Sequence, residues 1–131
     1  MIIVDSSYFI ALADTRDQWY DKAVKLKKFV EKNEVVITNL IVSEVLTELG
    51  RRKGGKTGHL MYDYFKDNCR ILYPNEDDFD HAESIYLKYD GRLSIPDSLS
   101  VFYMNELSIS KIVSFDSDFD KIKNIKRIFK I

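Results

Sequence analysis

Most of the features that mark a specialised chain are scarce in this sequence. Cys69 is the only cysteine and His59 and His81 the only histidines, so neither an internal disulfide nor a Cys/His zinc set can be assembled. That inventory fits a reducing, cytoplasmic compartment. Proline occurs twice and glycine five times, which leaves no room for Pro/Gly-rich linkers or low-complexity stretches. No apolar run approaches the ~20 residues of a membrane span. Ile2-Ile3-Val4 is stopped by Asp5, too early for a signal peptide, and no basic leader precedes it. Nor is there an excess of charge of one sign: 20 Lys and Arg against 21 Asp and Glu leave -1, no signature of a nucleic-acid binder.

What the chain does have is 45% hydrophobic residues over 131 positions, enough to bury a core as one domain spanning residues 1-131. Its charges are also sorted. Residues 50-56 carry four positive charges, and residues 121-131 carry five with no acid, while acids gather at 76-80 and 116-120. Separated zones of this kind allow local binding of a polyanion.

Hydrophobic periodicity supplies the element order. Ile2 to Val4 reads as a short strand buried on both faces, followed at once by a helix holding Tyr8, Phe9, Ala11 and Leu12, with Asp5 or Ser6 as its cap. Trp19, Ala23, Leu26 and Val30 give an amphipathic helix over 17-32, whose exposed hydrophobic positions are candidates for self-association or for a partner's peptide. Val35 to Thr38 is a second strand; Thr38 or Asn39 caps a helix that stops near Gly50, and another helix runs from Thr57 to Asn68. Arg70 to Tyr73 is a third strand. Asn75 and Asp78 open a helix reaching Tyr89, Asp90-Gly91 turns the chain, and Ser94-Ile95-Pro96-Asp97 starts the next helix. Lys111 to Ser114 and Arg127 to Ile131 complete five strands. Strands alternating with helices predict a parallel, three-layer α/β sandwich.

In such a sheet the crossover helices begin at the edge where the strands end. Asp5, Glu44, Asp97 and Asp116 all fall near that edge. Each acid has a local explanation: Asp5 and Asp116 as helix caps, Asp97 in a capping box with Ser94, Glu44 as a solvated side chain. Together they form a like-charge cluster, which a divalent cation would neutralise, and oxygen-only ligands favour Mg2+ or Mn2+. The acids at 76-80 follow a different strand and are explained by helix capping.

Four segments in register then resemble the motifs of PIN-domain nucleases, most closely the small VapC-type toxins. These are Asp5-Ser6-Ser7, Glu44 after the second strand, Leu93 to Ser100 around Asp97, and Ser114-Phe115-Asp116-Ser117-Asp118-Phe119. The resemblance spans the chain. It implies strand order 3-2-1-4-5 and Mg2+- or Mn2+-dependent hydrolysis of RNA, with Asp5, Asp97 and Asp116 as metal ligands and Glu44 orienting ion or water. Asp118 is a fifth acid shared by some members, and Ser6 a supporting hydroxyl. It further implies a homodimer and an antitoxin partner. A PIN fold kept only for binding RNA or protein is the alternative.

Gly50-Arg51-Arg52-Lys53-Gly54-Gly55-Lys56-Thr57 matches the phosphate-loop pattern GxxxxGK[ST] literally, but that loop works only between a strand and a helix, and here it joins two helices. Arg51, Arg52, Lys53 and Lys56 are instead candidates for RNA backbone contacts. Trp19, Tyr20, Tyr62, Tyr64 and Phe65 could stack on bases, though their helical spacing suits packing better.

Overall fold

β1 (Ile2–Val4) is buried along its whole length and occupies the middle of a five-stranded sheet, as three consecutive apolar residues require of a strand covered on both faces. The computed structural model describes all 131 residues. β1 pairs in parallel with β2 (Val35–Thr38) on one side and β4 (Lys111–Val113) on the other, with Ile3 opposite both Val36 and Ile112. β3 (Cys69–Leu72) and β5 (Lys126–Ile128) complete the order β3-β2-β1-β4-β5. This is the α/β sandwich expected from the alternation of strands and helices, in the strand order that the resemblance implies.

Six helices cover the sheet. α1 (Ser6–Ala13) packs against both α2 (Tyr20–Glu31) and α3 (Asn39–Lys53), α3 packs against α4 (Gly55–Asn68), and α5 (Glu76–Lys88) packs against α6 (Ile95–Leu107). Right-handed crossovers put the first group on one face and the second on the other. Every residue from Ser98 to Met104 in α6 is buried, so this helix is wedged between sheet and α5. A short 3-10 helix, Ser117–Lys121, links β4 to β5.

Several boundaries differ from expectation: β3 spans Cys69–Leu72 and not Arg70 to Tyr73, β4 stops at Val113 and α4 starts at Gly55, while two further differences have visible physical reasons. α2 starts at Tyr20 because Asp17 takes the Trp19 N–H on its side chain (2.9 Å) and forms a turn there. α3 does not stop near Gly50 but runs to Lys53, its last turn supported by Glu48 pairing with Arg51 and Arg52. It ends at Gly54, whose φ of +92° suits glycine, and α4 begins at the next residue. The phosphate-loop pattern is therefore helix, glycine, helix, with no strand to aim backbone N–H groups at a phosphate. β5 ends at Ile128, so Phe129 to Ile131 leave the sheet.

The amphipathic face of α2 is spoken for. Ala23, Leu26 and Val30 are at most 2% exposed within the core, which removes them as a self-association surface. On the same side, Tyr8, Phe9 and Phe65 meet edge to face, Phe9 and Phe65 with centroids 4.8 Å apart. Phe65→Ala should lower unfolding free energy by about 3–5 kcal/mol, and Phe65→Leu by less than about 1.5 kcal/mol, in urea denaturation. Equal losses would mean that the ring is not packed as described.

Candidate active site

Asp5 stands where β1 hands over to α1, and it is 5% exposed. It holds the N-cap position, yet its side chain does not cap the helix. Instead the hydroxyls of Ser7 and Ser114 both donate to Asp5 Oδ2, each at 2.9 Å. The two hydroxyls in turn accept backbone N–H groups, Ser7 from Phe115 and Ser114 from Asp116, each at 3.0 Å. The Asp5 N–H donates to the Val113 carbonyl at 2.9 Å. One carboxylate thus binds the end of β1 to the end of β4 and fixes the loop that carries Asp116. Ser6, rather than joining this cradle, lines a neighbouring depression beside Glu44.

Asp116 caps the 3-10 helix, accepting the Asp118 N–H at 2.9 Å. Asp97 lies in the first turn of α6, where its N–H donates to Ser94 Oγ at 3.2 Å. No reciprocal bond returns from its carboxyl, so the Ser94 box is half formed, whereas the box of Asn75 and Asp78 in α5 is complete. The Asp97 carboxyl is left facing its acidic neighbours. Glu44, in the second turn of α3, opens onto a depression of about 520 Å3 shared with Ser43, Thr47, Glu48 and Arg52.

The electrostatics record how near these groups are. Asp97 is pushed up to about 8, first by burial and then by the charges of Asp5, Asp116 and Glu44, with the Ser94 bond opposing. Glu44 is pushed up to about 7 by burial around its carboxyl and by Asp5, although much of the side chain is exposed. Burial also raises Asp5, against the opposing bonds from Ser114 and Ser7. Four acids from four elements therefore share one field at the strand-end edge. Asp118 lies beside them but pairs with Lys121 at 3.5 Å and lines a different depression with Lys88, Arg92 and Leu93.

The donor set suits a hard cation: it is all oxygen, and its negative charges are uncompensated within the cleft. At the same edge, the Asn39 Oδ1 at the start of α3 is buried without a partner. No three His, Cys, Asp or Glu side chains converge tightly enough to cage an ion by themselves. That arrangement fits an ion held by one or two carboxylates and otherwise by water and substrate oxygens, the usual habit of Mg2+.

The basic residues at 51-56 are largely engaged. Arg52 reaches Asp14 (3.0 Å), Asp17 (2.9 Å) and Glu48 (2.8 Å), Lys53 reaches Asp14 at 3.6 Å, and Arg51 pairs with Glu48. Asp14 is 6% exposed, and its pKa is lowered first by the Arg16 N–H and then by Arg52 and Lys53. This network ties the end of α3 to the α1–α2 turn. Lys56 is exposed and outside it. Ser7 and Ser114 carry more of the site than the sequence suggested. The signal available was a serine close to each of two strand-end aspartates.

A family model for the PIN domain matches residues 2–125. Among solved structures, the chain is similar to Mycobacterium tuberculosis VapC20, a Sarcin-Ricin loop cleaving toxin, at 24% identity and TM-score 0.83, covering 92% of this chain and 93% of that one. It is also similar to Rickettsia felis VapBC2 bound to a promoter DNA fragment (13%, TM-score 0.71, 98% of each chain). A Klebsiella pneumoniae toxin-antitoxin complex gives 13% identity and TM-score 0.72 over 100% of each. No curated protein sequence matches significantly.

The raised acids make stability depend on pH in an unusual direction. Asp97 binds its proton more tightly folded than unfolded, where a value near 3.9 applies, so the folded state is progressively disfavoured as pH rises from about 4 through about 8. With chelator present, Asp97→Asn should be more stable than the parent at pH 9 by about 1–3 kcal/mol, discounted for solvent screening of a partly open carboxyl, and should match it near pH 4. A constant difference across that range would mean that Asp97 does not titrate as described.

Proposed function

The chain belongs to the PIN domain family, and from that premise we propose that it is a single-domain, Mg2+- or Mn2+-dependent endoribonuclease, the toxin of a VapBC-type pair. The observation that carries this reading is the convergence of Asp5, Glu44, Asp97 and Asp116 at one sheet edge, where the charges of the other three help to raise Asp97 and the charge of Asp5 helps to raise Glu44. A phosphodiester is anionic, and a bare acidic cleft would repel it. A divalent ion, when bound, reverses that field, polarises a phosphoryl oxygen and lowers the pKa of a water.

In this reading Asp5, Asp97 and Asp116 hold the ion directly or through water, and Glu44 orients ion or water. The Ser7 and Ser114 hydroxyls hold Asp5 in one position, as supporting groups do for metal ligands generally. Without the ion Glu44 and Asp97 are raised toward neutrality, and a bound cation would draw both back toward the ionised form that can hold it. Asp118, already partnered by Lys121, has a peripheral role. Cleavage by in-line water attack would leave a 5'-phosphate and a 3'-hydroxyl.

The partner side of the proposal draws on the similar structures, one described as a toxin-antitoxin complex and another as VapBC2 bound to promoter DNA. An apolar groove of about 240 Å3 between α1 and α4, lined by Phe9, Leu12, Ala13, Leu60, Met61 and Tyr64, offers a partner segment a place to dock. Leu60 is 59% exposed at its rim. Homodimerisation and action in the cytoplasm complete the proposal; no helix is long and apolar enough to cross a membrane.

Purified protein should cleave labelled RNA with Mg2+ or Mn2+ and not with EDTA. Asp97→Asn and Asp5→Asn should each slow cleavage at least about 100-fold, and Ser114→Ala, which removes only a supporting hydroxyl, about 10- to 100-fold. Equal cleavage by parent and Asp97→Asn would assign the activity to a contaminant. Mg2+ should also raise Tm at pH 8 for the parent and much less for Asp97→Asn; ion-independent melting of both would remove the metal from the site.

A further inference from the structure

On the β4–β5 flank of the acidic cleft, three chain segments bring aromatic rings and ammonium groups together. Trp19, just before α2, lies flat against Phe115, with centroids 5.4 Å apart and planes 12° from parallel. Phe115 is bonded through its N–H to Ser7, so the stacked pair is one hydrogen-bonded residue away from Asp5. Lys22, in the first turn of α2, sits between Trp19 and Phe129, its Nζ 5.3 Å and 5.9 Å from the two ring centroids. Lys130 Nζ is 5.5 Å from the Phe129 centroid. The Arg127 guanidinium lies 4.2 Å from the same ring.

These cations differ in what already neutralises them. Arg127 bonds Asp120 through two nitrogens, at 2.8 Å and 3.0 Å, and donates to the Ser114 carbonyl at 3.2 Å. It anchors Phe129 to the residue that holds Asp5 and has little left for a ligand. Lys22 and Lys130 are exposed, and none of the chain's ion pairs includes either. A ring face holds an ammonium only weakly at an exposed site, so both charges remain available to a phosphate. The opposite flank is different, because Arg51, Arg52 and Lys53 are already paired with Glu48, Asp14 and Asp17. Rings alternating with free cations match a single strand, whose bases can lie on aromatic faces while its phosphates meet ammonium groups. A duplex, with its bases stacked internally, would leave the rings unused.

We propose that Trp19, Lys22, Phe129 and Lys130, in that order, form a track of alternating rings and ammonium groups that holds single-stranded RNA as it passes over the β4–β5 side of the cleft. The inference rests on the nuclease reading and adds to it where the strand runs. Its test separates binding from cleavage. Binding of a fluorescently labelled single-stranded RNA is followed by anisotropy between 50 and 300 mM salt, roughly the range over which phosphate contacts are lost. The Asp97→Asn protein in EDTA serves as the non-cleaving parent.

Adding Lys22→Gln and Lys130→Gln should reduce the slope of log K against log salt by about 1.4, at about 0.7 per lost phosphate contact on a single strand. Phe129→Leu should weaken binding about fivefold or more with little change in slope, and Arg51→Gln should change neither. An unchanged slope in the Lys22/Lys130 variant overturns the track, as does a slope reduced instead by Arg51→Gln or Lys56→Gln. If the wild-type protein cleaves RNA while the double lysine variant binds like the parent, the track fails and the nuclease reading stands. If RNA binds through these lysines but no ion supports cleavage, the nuclease reading fails and the track stands.

Discussion

A carboxylate buried at the end of the central strand is the constraint around which this molecule is arranged. Burying Asp5 costs free energy unless its charge is compensated, and no cation from the chain reaches it. Two serine hydroxyls do part of the work. Because Ser7 and Ser114 also accept the N–H groups of Phe115 and Asp116, the same contacts that hold Asp5 set the course of the loop after β4. The position of Asp116 follows from the solvation of Asp5. The remaining imbalance appears on the neighbours, where Asp97 and Glu44 are raised into the neutral range. A cleft that strains its own acids is primed for whatever positive charge can enter it.

The sheet was legible because its signal is local. Ile2 to Val4, Val35 to Ile37 and Ile112 to Val113 are short apolar, buried runs bounded by polar residues, and a strand covered on both faces suits them. The topology followed from alternation, and its order from the resemblance. The placement of the acids was legible for the same reason: once strand ends and helix starts share an edge, Asp5, Glu44, Asp97 and Asp116 are brought near one another by connectivity.

The missing parts depend on contacts between residues distant in sequence. Nothing local distinguishes Ser7 from Ser6, and only the approach of β4 decides which hydroxyl meets Asp5. Glycine at position 50 reads as a stop for α3, whereas the salt bridges of Glu48 and the packing of Leu49 carry the helix one turn further to a glycine that suits its positive φ. The apolar stripe of α2 is covered by the core at Ala23, Leu26 and Val30, which leaves Val24 as the exposed hydrophobic residue of that helix. Periodicity reports a face and says nothing of what lies against it.

Charge shows the same limit more sharply. By count, Arg51, Arg52, Lys53 and Lys56 are the densest basic run in the chain, and a polyanion would be expected to seek them. Folding brings Asp14 and Asp17 from the α1–α2 turn against that run and adds Glu48 from within α3, so two of its four cations, Arg52 and Lys53, fasten α3 to that turn and a third, Arg51, pairs within α3. Lys22 and Lys130 stand alone in sequence and draw no notice there, yet they meet aromatic rings instead of carboxylates and keep their charge free. A near-neutral chain can in this way present an acidic cleft with one neutralised flank and one cationic flank, and a polyanion responds to that field and not to the residue count. The sequence gives the number of charges; the contacts decide which of them remain to act on a ligand.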